Sequence, residues 1–146
     1  MRHIRSSYIT PILDWAAVVR IHSLSSAPII SIVDDDESIQ AAMSSLVRSL
    51  GYESFVFCSA EEFLTSPRLH DTSCLIADVQ MPGMSGLELQ DELAVRRPDM
   101  PVILITALPE ERIRKRAEAA GAAAFLSKPV DGHALIDFLA AALRGR

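Results

Sequence analysis

From about residue 27 onward, short runs of apolar and β-branched residues alternate with stretches that have helical spacing. Five runs have the length of strands, and three of them are nearly all apolar, as in strands that are covered on both faces of a sheet. The predicted strands are residues 29–33, 54–57, 74–77, 102–105 and 124–126. Strict alternation of this kind predicts an α/β fold in which parallel strands form one sheet.

Capping signals mark where the intervening helices begin and end. Ser59 with Glu62, and Ser85 with Glu88, have the spacing of capping boxes, and a glycine follows two of the helical stretches. The predicted helices are residues 37–50, a short helix after Ser59, and residues 86–96, 110–120 and 132–143. Because crossovers between parallel strands are right-handed, these five helices cover both faces of a doubly wound sheet and make three layers.

The composition limits the classes of function. The formal net charge is −5, so the chain as a whole lacks the basic character that nucleic-acid binding requires. Cys58 and Cys74 are too few for a disulfide framework, and we expect both to be small core residues in a reducing compartment. No apolar run is long enough to span a membrane. We therefore expect a cytoplasmic protein.

Polar residues stand at the carboxyl ends of four of the predicted strands. Asp34 and Asp35 follow the first strand, Asp78 the third, Thr106 the fourth and Lys128 the fifth. Each has an ordinary explanation when taken alone, such as a helix cap, a turn residue or the end of a strand. Their joint occurrence favours one common site, because these strand ends meet at the same edge of a parallel sheet.

The charges of this set predict a bound metal. Three carboxylates and one ammonium group leave a net charge of −2, which a divalent cation neutralises. Ligands that are all oxygen favour Mg²⁺ over zinc or copper. With Mg²⁺ and a lysine to screen the incoming phosphoryl oxygens, an aspartate carboxylate can attack phosphorus and carry an acyl phosphate.

Taken together, these motifs resemble the receiver domains of response regulators in two-component systems. The matching segments are the acidic pair in IVDDDE, Asp78 in LIADVQMPGMSG, Thr106 in ILITA, and Phe125 and Lys128 in FLSKP. The resemblance covers roughly residues 28–143, and the MPGMSGLEL and GAAAFLSKPV segments look most like the FixJ-like branch. It implies a flavodoxin-like sheet of strand order 2-1-3-4-5.

The resemblance also implies roles for individual acidic and basic residues. Asp78 looks like the phosphoacceptor, and Mg²⁺ would be held by Asp34, Asp35, Asp78 and the backbone carbonyl of Gln80. Lys128 would pair first with Asp78 and then with the phosphoryl group.

A conformational switch is the second implication of the resemblance. Thr106 and Ala107 would contact the phosphoryl group, and Phe125 would fill the space that Thr106 leaves when its hydroxyl moves inward. The peptide bond between Lys128 and Pro129 would be cis.

The implied partners are proteins. The phosphoryl donor would be a sensor histidine kinase or a histidine phosphotransfer protein. The downstream target would dock on the face made by residues 110–120, 124–126 and 132–143. The resemblance also allows a homodimer. The printed sequence ends at Arg146, so we expect a stand-alone receiver over residues 28–146 without direct DNA binding. Residues 1–27 are an expected flexible extension.

Two other functions stay open at this stage. One is an adaptor that binds partners without being phosphorylated, although such receivers usually lose an acidic residue or the lysine, and this chain keeps them. The other is a Mg²⁺-dependent phosphatase of the haloacid-dehalogenase kind, which also uses an aspartate after a strand. Those sites read D-x-D, whereas Asp78 is followed two residues later by Gln80.

Overall fold

The structure is a computed structural model that describes residues 26–144. The predicted extension, residues 1–27, lies outside this range except for its last two residues. The described strands are β1 (Ile29–Val33), β2 (Glu53–Phe57), β3 (Cys74–Asp78), β4 (Val102–Thr106) and β5 (Ala124–Ser127). They form one parallel sheet in the order β2-β1-β3-β4-β5, so the predicted flavodoxin-like topology is confirmed.

The described residues form six helices, not the five that the sequence predicted. They are α1 (Glu37–Ser49), α2 (Ala60–Leu64), α3 (Arg68–Asp71), α4 (Gly86–Arg96), α5 (Glu111–Ala119) and α6 (Gly132–Arg144). The single short helix expected between β2 and β3 is divided in two because Pro67 stands at the break. Proline lacks the N–H that would continue α2, but its fixed φ suits the start of the next helix.

Side chains of each strand alternate between two apolar cores, one on each face of the sheet. In β3, Cys74 and Ile76 belong to the core under α1 and α6, whereas Leu75 and Ala77 belong to the core under α2 to α5. This period of two is the spacing of side chains along a strand. The predicted three layers are therefore present, and both faces of the central strands are covered.

Local signals set several helix ends. Gly51 and Gly121 follow α1 and α5 with φ of 91° and 89°, a conformation that stops a helix and favours glycine. Ser85 and Glu88 form the complete capping box that was predicted. The box predicted at Ser59 is only half formed, because the Glu62 side chain accepts from the N–H of Cys58 instead.

The expectation that both cysteines are core residues is wrong for one of them. Cys74 is buried in β3, but Cys58 is exposed just after β2. The position before a capped helix places Cys58 on the turn that leaves the sheet, where the backbone faces solvent.

Candidate functional site

The polar residues that follow the predicted strands lie at one edge of the sheet. Asp78 and Thr106 are the last residues of β3 and β4, while Asp34 and Asp35 follow β1 and Lys128 follows β5. All four strands are parallel and neighbouring, so their carboxyl ends come out on the same side. The apolar strands beneath them are buried and hold these ends in place.

Three carboxylates and one ammonium group meet at this edge. Carboxylate oxygens of Asp34, Asp35 and Asp78, which we call the acidic cluster, all lie within 4.8 Å of one another. Lys128 Nζ lies 3.0 Å from Asp34 Oδ2 and 3.4 Å from Asp78 Oδ2. Asp34 and Asp78 are buried, whereas Asp35 is exposed. Four predicted site residues from three different strand ends are thus brought together.

The two buried carboxylates differ in their hydrogen bonds. Asp34 Oδ1 accepts from the backbone N–H of Asp36 at 2.9 Å, and its Oδ2 accepts from Lys128 Nζ at 3.0 Å. Asp78 Oδ2 faces Lys128, but Asp78 Oδ1 is buried and has no hydrogen-bond partner among residues 26–144. A buried carboxylate oxygen without a partner is costly, so Asp78 is the unsatisfied group of the site.

Burial and charge shift the titration of this site. Burial raises the pKa of Asp78, and the nearby negative charge of Asp34 raises it further, although Lys128 and the backbone N–H of Gln80 act in the opposite direction. Burial alone lowers the pKa of Lys128, but its hydrogen bond to Asp34 and the charge of Asp78 outweigh burial, so the pKa lies above its ordinary value. A further positive charge beside Asp78 would relieve the repulsion between the carboxylates of Asp34 and Asp78.

The acidic cluster fits a magnesium ion. Its donors are all carboxylate oxygens, they are close enough to share one cation, and Asp78 Oδ1 is a buried acceptor that lacks a positive partner. No other group of three or more His, Cys, Asp or Glu residues with metal-ligand spacing occurs within residues 26–144. A hard, oxygen-seeking cation is therefore the metal that this chemistry favours.

Lys128 reaches the acidic cluster from the loop between β5 and α6. Its peptide bond to Pro129 is cis. The side chain of Lys128 is 19% exposed, and its ammonium group lies within 3.4 Å of the buried carboxylates of Asp34 and Asp78. This shielding makes the pairing stronger than that of a surface lysine.

Thr106 is fully buried, and the described hydrogen bonds of its hydroxyl are made to residues outside the acidic cluster. The hydroxyl donates to Gln80 Oε1 at 2.7 Å and accepts from the backbone N–H of Leu108 at 3.0 Å. Ala107 is exposed beside it. The described hydrogen bonds of Thr106 thus join the loops after β3 and β4.

Phe125, on the edge strand β5, is partly buried. Its ring packs against the core under α2 to α5, and the guanidinium carbon of Arg114 lies 5.9 Å from the ring centroid. The aromatic residue therefore has a cationic neighbour on α5 in addition to its apolar contacts.

Two residues that sequence reasoning missed position the loop after Asp78. At Gly86, a Cβ atom would lie 2.2 Å from the backbone oxygen of Asp78, so only glycine lets α4 begin this close to the phosphoacceptor candidate. The sequence did carry a signal for Gly86. Glycine in the first turn of a helix lowers stability, so its presence there indicates some other structural requirement. Glu61, from α2, accepts from the N–H of Met84 at 3.0 Å, and no local pattern announces that contact.

A third missed residue anchors the loop after β1. Gln40, buried on α1, donates from Nε2 to the backbone carbonyl of Asp34 at 2.6 Å. The hydrogen bond fixes the backbone at the point where the first two carboxylates of the acidic cluster leave the sheet.

Comparisons with known proteins agree with this architecture. The family described as "Response regulator receiver domain" matches residues 30–140. Nodulation protein W of Bradyrhizobium diazoefficiens is 40% identical over 129 residues, which cover 88% of this chain and 57% of that protein. The transcriptional regulatory protein FixJ of Azorhizobium caulinodans is 37% identical over 114 residues, which cover 78% and 54%.

A solved structure shows the same fold. The receiver domain protein, described as CheY-like, from Methanospirillum hungatei JF-1 superposes with a TM-score of 0.76 at 28% identity, covering 82% of this chain and 96% of that one. The chain spans about half the length of the curated relatives it matches.

The fold and the acidic site define the class of α/β signalling domains that carry an aspartate pocket at the carboxyl edge of the sheet. The chain belongs to the receiver-domain family of response regulators. Domains of this family take part in two-component signalling, accept phosphoryl groups, bind Mg²⁺ in such a pocket, and pair with histidine kinases and downstream targets. Within residues 26–144, no helix is long and apolar enough to cross a membrane.

Proposed function

We propose that this chain accepts a phosphoryl group on Asp78 from a phosphohistidine donor in a Mg²⁺-dependent reaction and passes the change to a protein partner. The observation that carries this proposal is the unpartnered, buried Oδ1 of Asp78 beside two further carboxylates and Lys128. A group left in this state is unfavourable for stability alone, and such groups are typical of functional sites.

The proposed reaction transfers the phosphoryl group from nitrogen to oxygen. A carboxylate oxygen of Asp78 forms the new P–O bond while the P–N bond of the phosphohistidine breaks, and the electron pair of that bond stays on the imidazole. Lys128 Nζ, 3.4 Å from Asp78 Oδ2, is placed to contact a phosphoryl oxygen. Mg²⁺, held by Asp34, Asp35, Asp78 and the backbone carbonyl of Gln80, would supply screening of the negative charges.

The proposed output is a change of shape on the face of α5, β5 and α6. After phosphorylation, Thr106 would donate its hydroxyl to the phosphoryl group beside the backbone of Ala107, and Phe125 would turn into the space that is freed. Its partly buried ring and its position on the edge strand support this role. The partners would be a sensor histidine kinase or histidine phosphotransfer protein and a downstream protein target.

The test is to label the purified chain with phosphoramidate, a small donor that contains a P–N bond. Wild type should gain the mass of one phosphoryl group in Mg²⁺, and should gain none in EDTA. Asp78→Asn should gain none in either condition, whereas Asp137→Asn, which changes an exposed aspartate on α6, should match wild type. Labelling that persists in Asp78→Asn would overturn the proposal.

The alternatives predict other outcomes of the same experiment. A phosphorylation-independent adaptor would show no label on the wild-type chain. A phosphatase of the haloacid-dehalogenase kind would release phosphate from small phosphomonoesters over many turnovers. The side chain of Gln80, where such phosphatases have their second acid, instead accepts a hydrogen bond from Thr106.

A further inference from the structure

We infer that the side chain of Gln80 stabilises the unphosphorylated conformation by accepting the hydrogen bond that the Thr106 hydroxyl donates. We call this contact the latch. This inference rests on the proposed function and adds a regulatory residue to it. The hydroxyl of Thr106 donates to Gln80 Oε1 at 2.7 Å, across 26 residues of chain. The contact joins the loop after β3 to the end of β4, next to the acidic cluster.

The argument depends on the number of protons. A threonine hydroxyl has one hydrogen to donate, and a phosphoryl oxygen has none. The other hydrogen bond near 3.0 Å at this hydroxyl is one it accepts, from the N–H of Leu108. A hydrogen bond from Thr106 to a phosphoryl group therefore cannot coexist with the one to Gln80 Oε1. The two acceptors compete for the same proton.

The surroundings make this competition effective. Thr106 has no exposed surface, so water does not readily replace either acceptor. If the Gln80 side chain no longer accepts this hydrogen bond, the nearest other described acceptor for the Thr106 hydroxyl is the backbone carbonyl of Leu108. Its oxygen lies at the longer distance of 3.2 Å. Removal of the amide oxygen should leave the hydroxyl held less firmly and more available to a phosphoryl group.

The test uses Gln80→Met, which keeps the length of the side chain but replaces the amide oxygen with a thioether sulfur, a much weaker acceptor. The probe is beryllofluoride with Mg²⁺, a phosphoryl mimic that does not depend on any kinase. Gln80→Met should bind this probe roughly two- to tenfold more tightly than wild type, the effect of losing one competing neutral hydrogen bond. In the Thr106→Val background, which has no hydroxyl proton, Gln80→Met should leave the affinity unchanged.

A second measurement needs no phosphoryl mimic. The N–H of Leu108 donates to the same hydroxyl, so its amide resonance should shift in Gln80→Met in the absence of Mg²⁺ and fluoride. The shift should be absent when the same change is made in the Thr106→Val background.

The outcomes separate the two proposals. Wild-type labelling of Asp78 together with equal probe affinities of wild type and Gln80→Met overturns the latch and leaves the proposed function intact. An equal effect of Gln80→Met with and without the Thr106 hydroxyl also overturns the latch, because the side chain then acts by another route. No labelling of wild type and no probe binding overturn the proposed function, and the latch with it.

Discussion

The two halves of the site differ in how completely their buried polar atoms are hydrogen-bonded. The charged half, made of the acidic cluster and Lys128, contains a buried oxygen with no described hydrogen-bond partner. The neutral half, made of Gln80, Thr106 and Leu108, has its buried hydroxyl fully bonded. The first is held in an unfavourable state that a cation can relieve. The second would have to give up a good contact in the proposed change of conformation.

In the proposed function, this difference gives the two halves separate tasks. Unsatisfied negative charge favours the binding of a cation, because its arrival neutralises repulsion already present in the folded protein. Satisfied neutral contacts oppose a change of conformation, since each must be broken first. The proposed function needs both features, because the domain would be modified readily and would then return to its resting conformation.

The largest effect should come from Lys128→Met. Loss of the ammonium group leaves Asp34 and Asp78 buried without their cation, so the free energy of unfolding should fall by about 2–4 kcal/mol in EDTA. The loss should become smaller as the pH falls, because protonation removes the carboxylate charges. Urea unfolding across pH measures it.

The matched control is Lys115→Met. Lys115 is the other lysine of the chain, and it is exposed on α5. The Lys115→Met substitution should change the free energy of unfolding by less than about 0.5 kcal/mol. An equal loss of unfolding free energy in the two variants would show that the pairing of Lys128 with Asp34 and Asp78 does not stabilise the protein in this way.

In the neutral half, Thr106→Val should destabilise the protein by about 1–2 kcal/mol. The change preserves shape but removes the hydroxyl that joins Gln80 to Leu108. Thr65→Val is the control, because it removes an exposed hydroxyl from the end of α2 and should cost less. Thermal unfolding of both variants in EDTA makes the comparison, and an increase in stability for Thr106→Val would contradict it.

In the charged half, Asp78→Asn should have the opposite sign and stabilise the metal-free protein by about 1 kcal/mol. A neutral amide ends the repulsion from Asp34 and can donate to the neighbouring carboxylates. By contrast, Asp34→Asn should destabilise, because both oxygens of Asp34 already accept hydrogen bonds. A loss of stability for both variants would show that the two carboxylates do not differ in this way.

The pH dependence of Asp78→Asn follows from the raised pKa of Asp78 in the folded protein. Between its ordinary and its raised pKa, the folded state binds the proton more strongly than the unfolded state, so wild type loses stability as the pH rises through this window. Above the raised pKa the whole penalty is present. The advantage of the asparagine variant should therefore be complete above the raised pKa and vanish below the ordinary pKa of an aspartate, as urea unfolding in EDTA can measure.

Sequence reasoning succeeded where the signal was periodic or stood at a strand end. The alternation of strands and helices, the capping box at Ser85 and the polar ends of β1, β3, β4 and β5 were all predicted. The order of the strands came from the family resemblance, because composition does not specify which strands are neighbours. The break between α2 and α3 was missed although Pro67 marked it.

Contacts across long stretches of chain were not predictable in the same way. The bonds from Thr106 to Gln80 and from Met84 to Glu61 join residues 26 and 23 positions apart, and nothing periodic relates them. Gly86 did carry a signal, yet its reason is the backbone of Asp78, 2.2 Å from where a Cβ atom would lie. Such reasons depend on how close two elements pack.

By itself, the sequence determined that the chain forms a covered parallel sheet and that its acidic, hydroxyl and lysine side chains share one edge. Both follow from local periodicity and from the rule that parallel strands end on the same side. Only the tertiary structure decided which atoms pair: Lys128 lies closer to Asp34 than to Asp78, and Asp78 Oδ1 is left unbonded. Those choices depend on differences of a few tenths of an ångström, which packing of the whole domain sets.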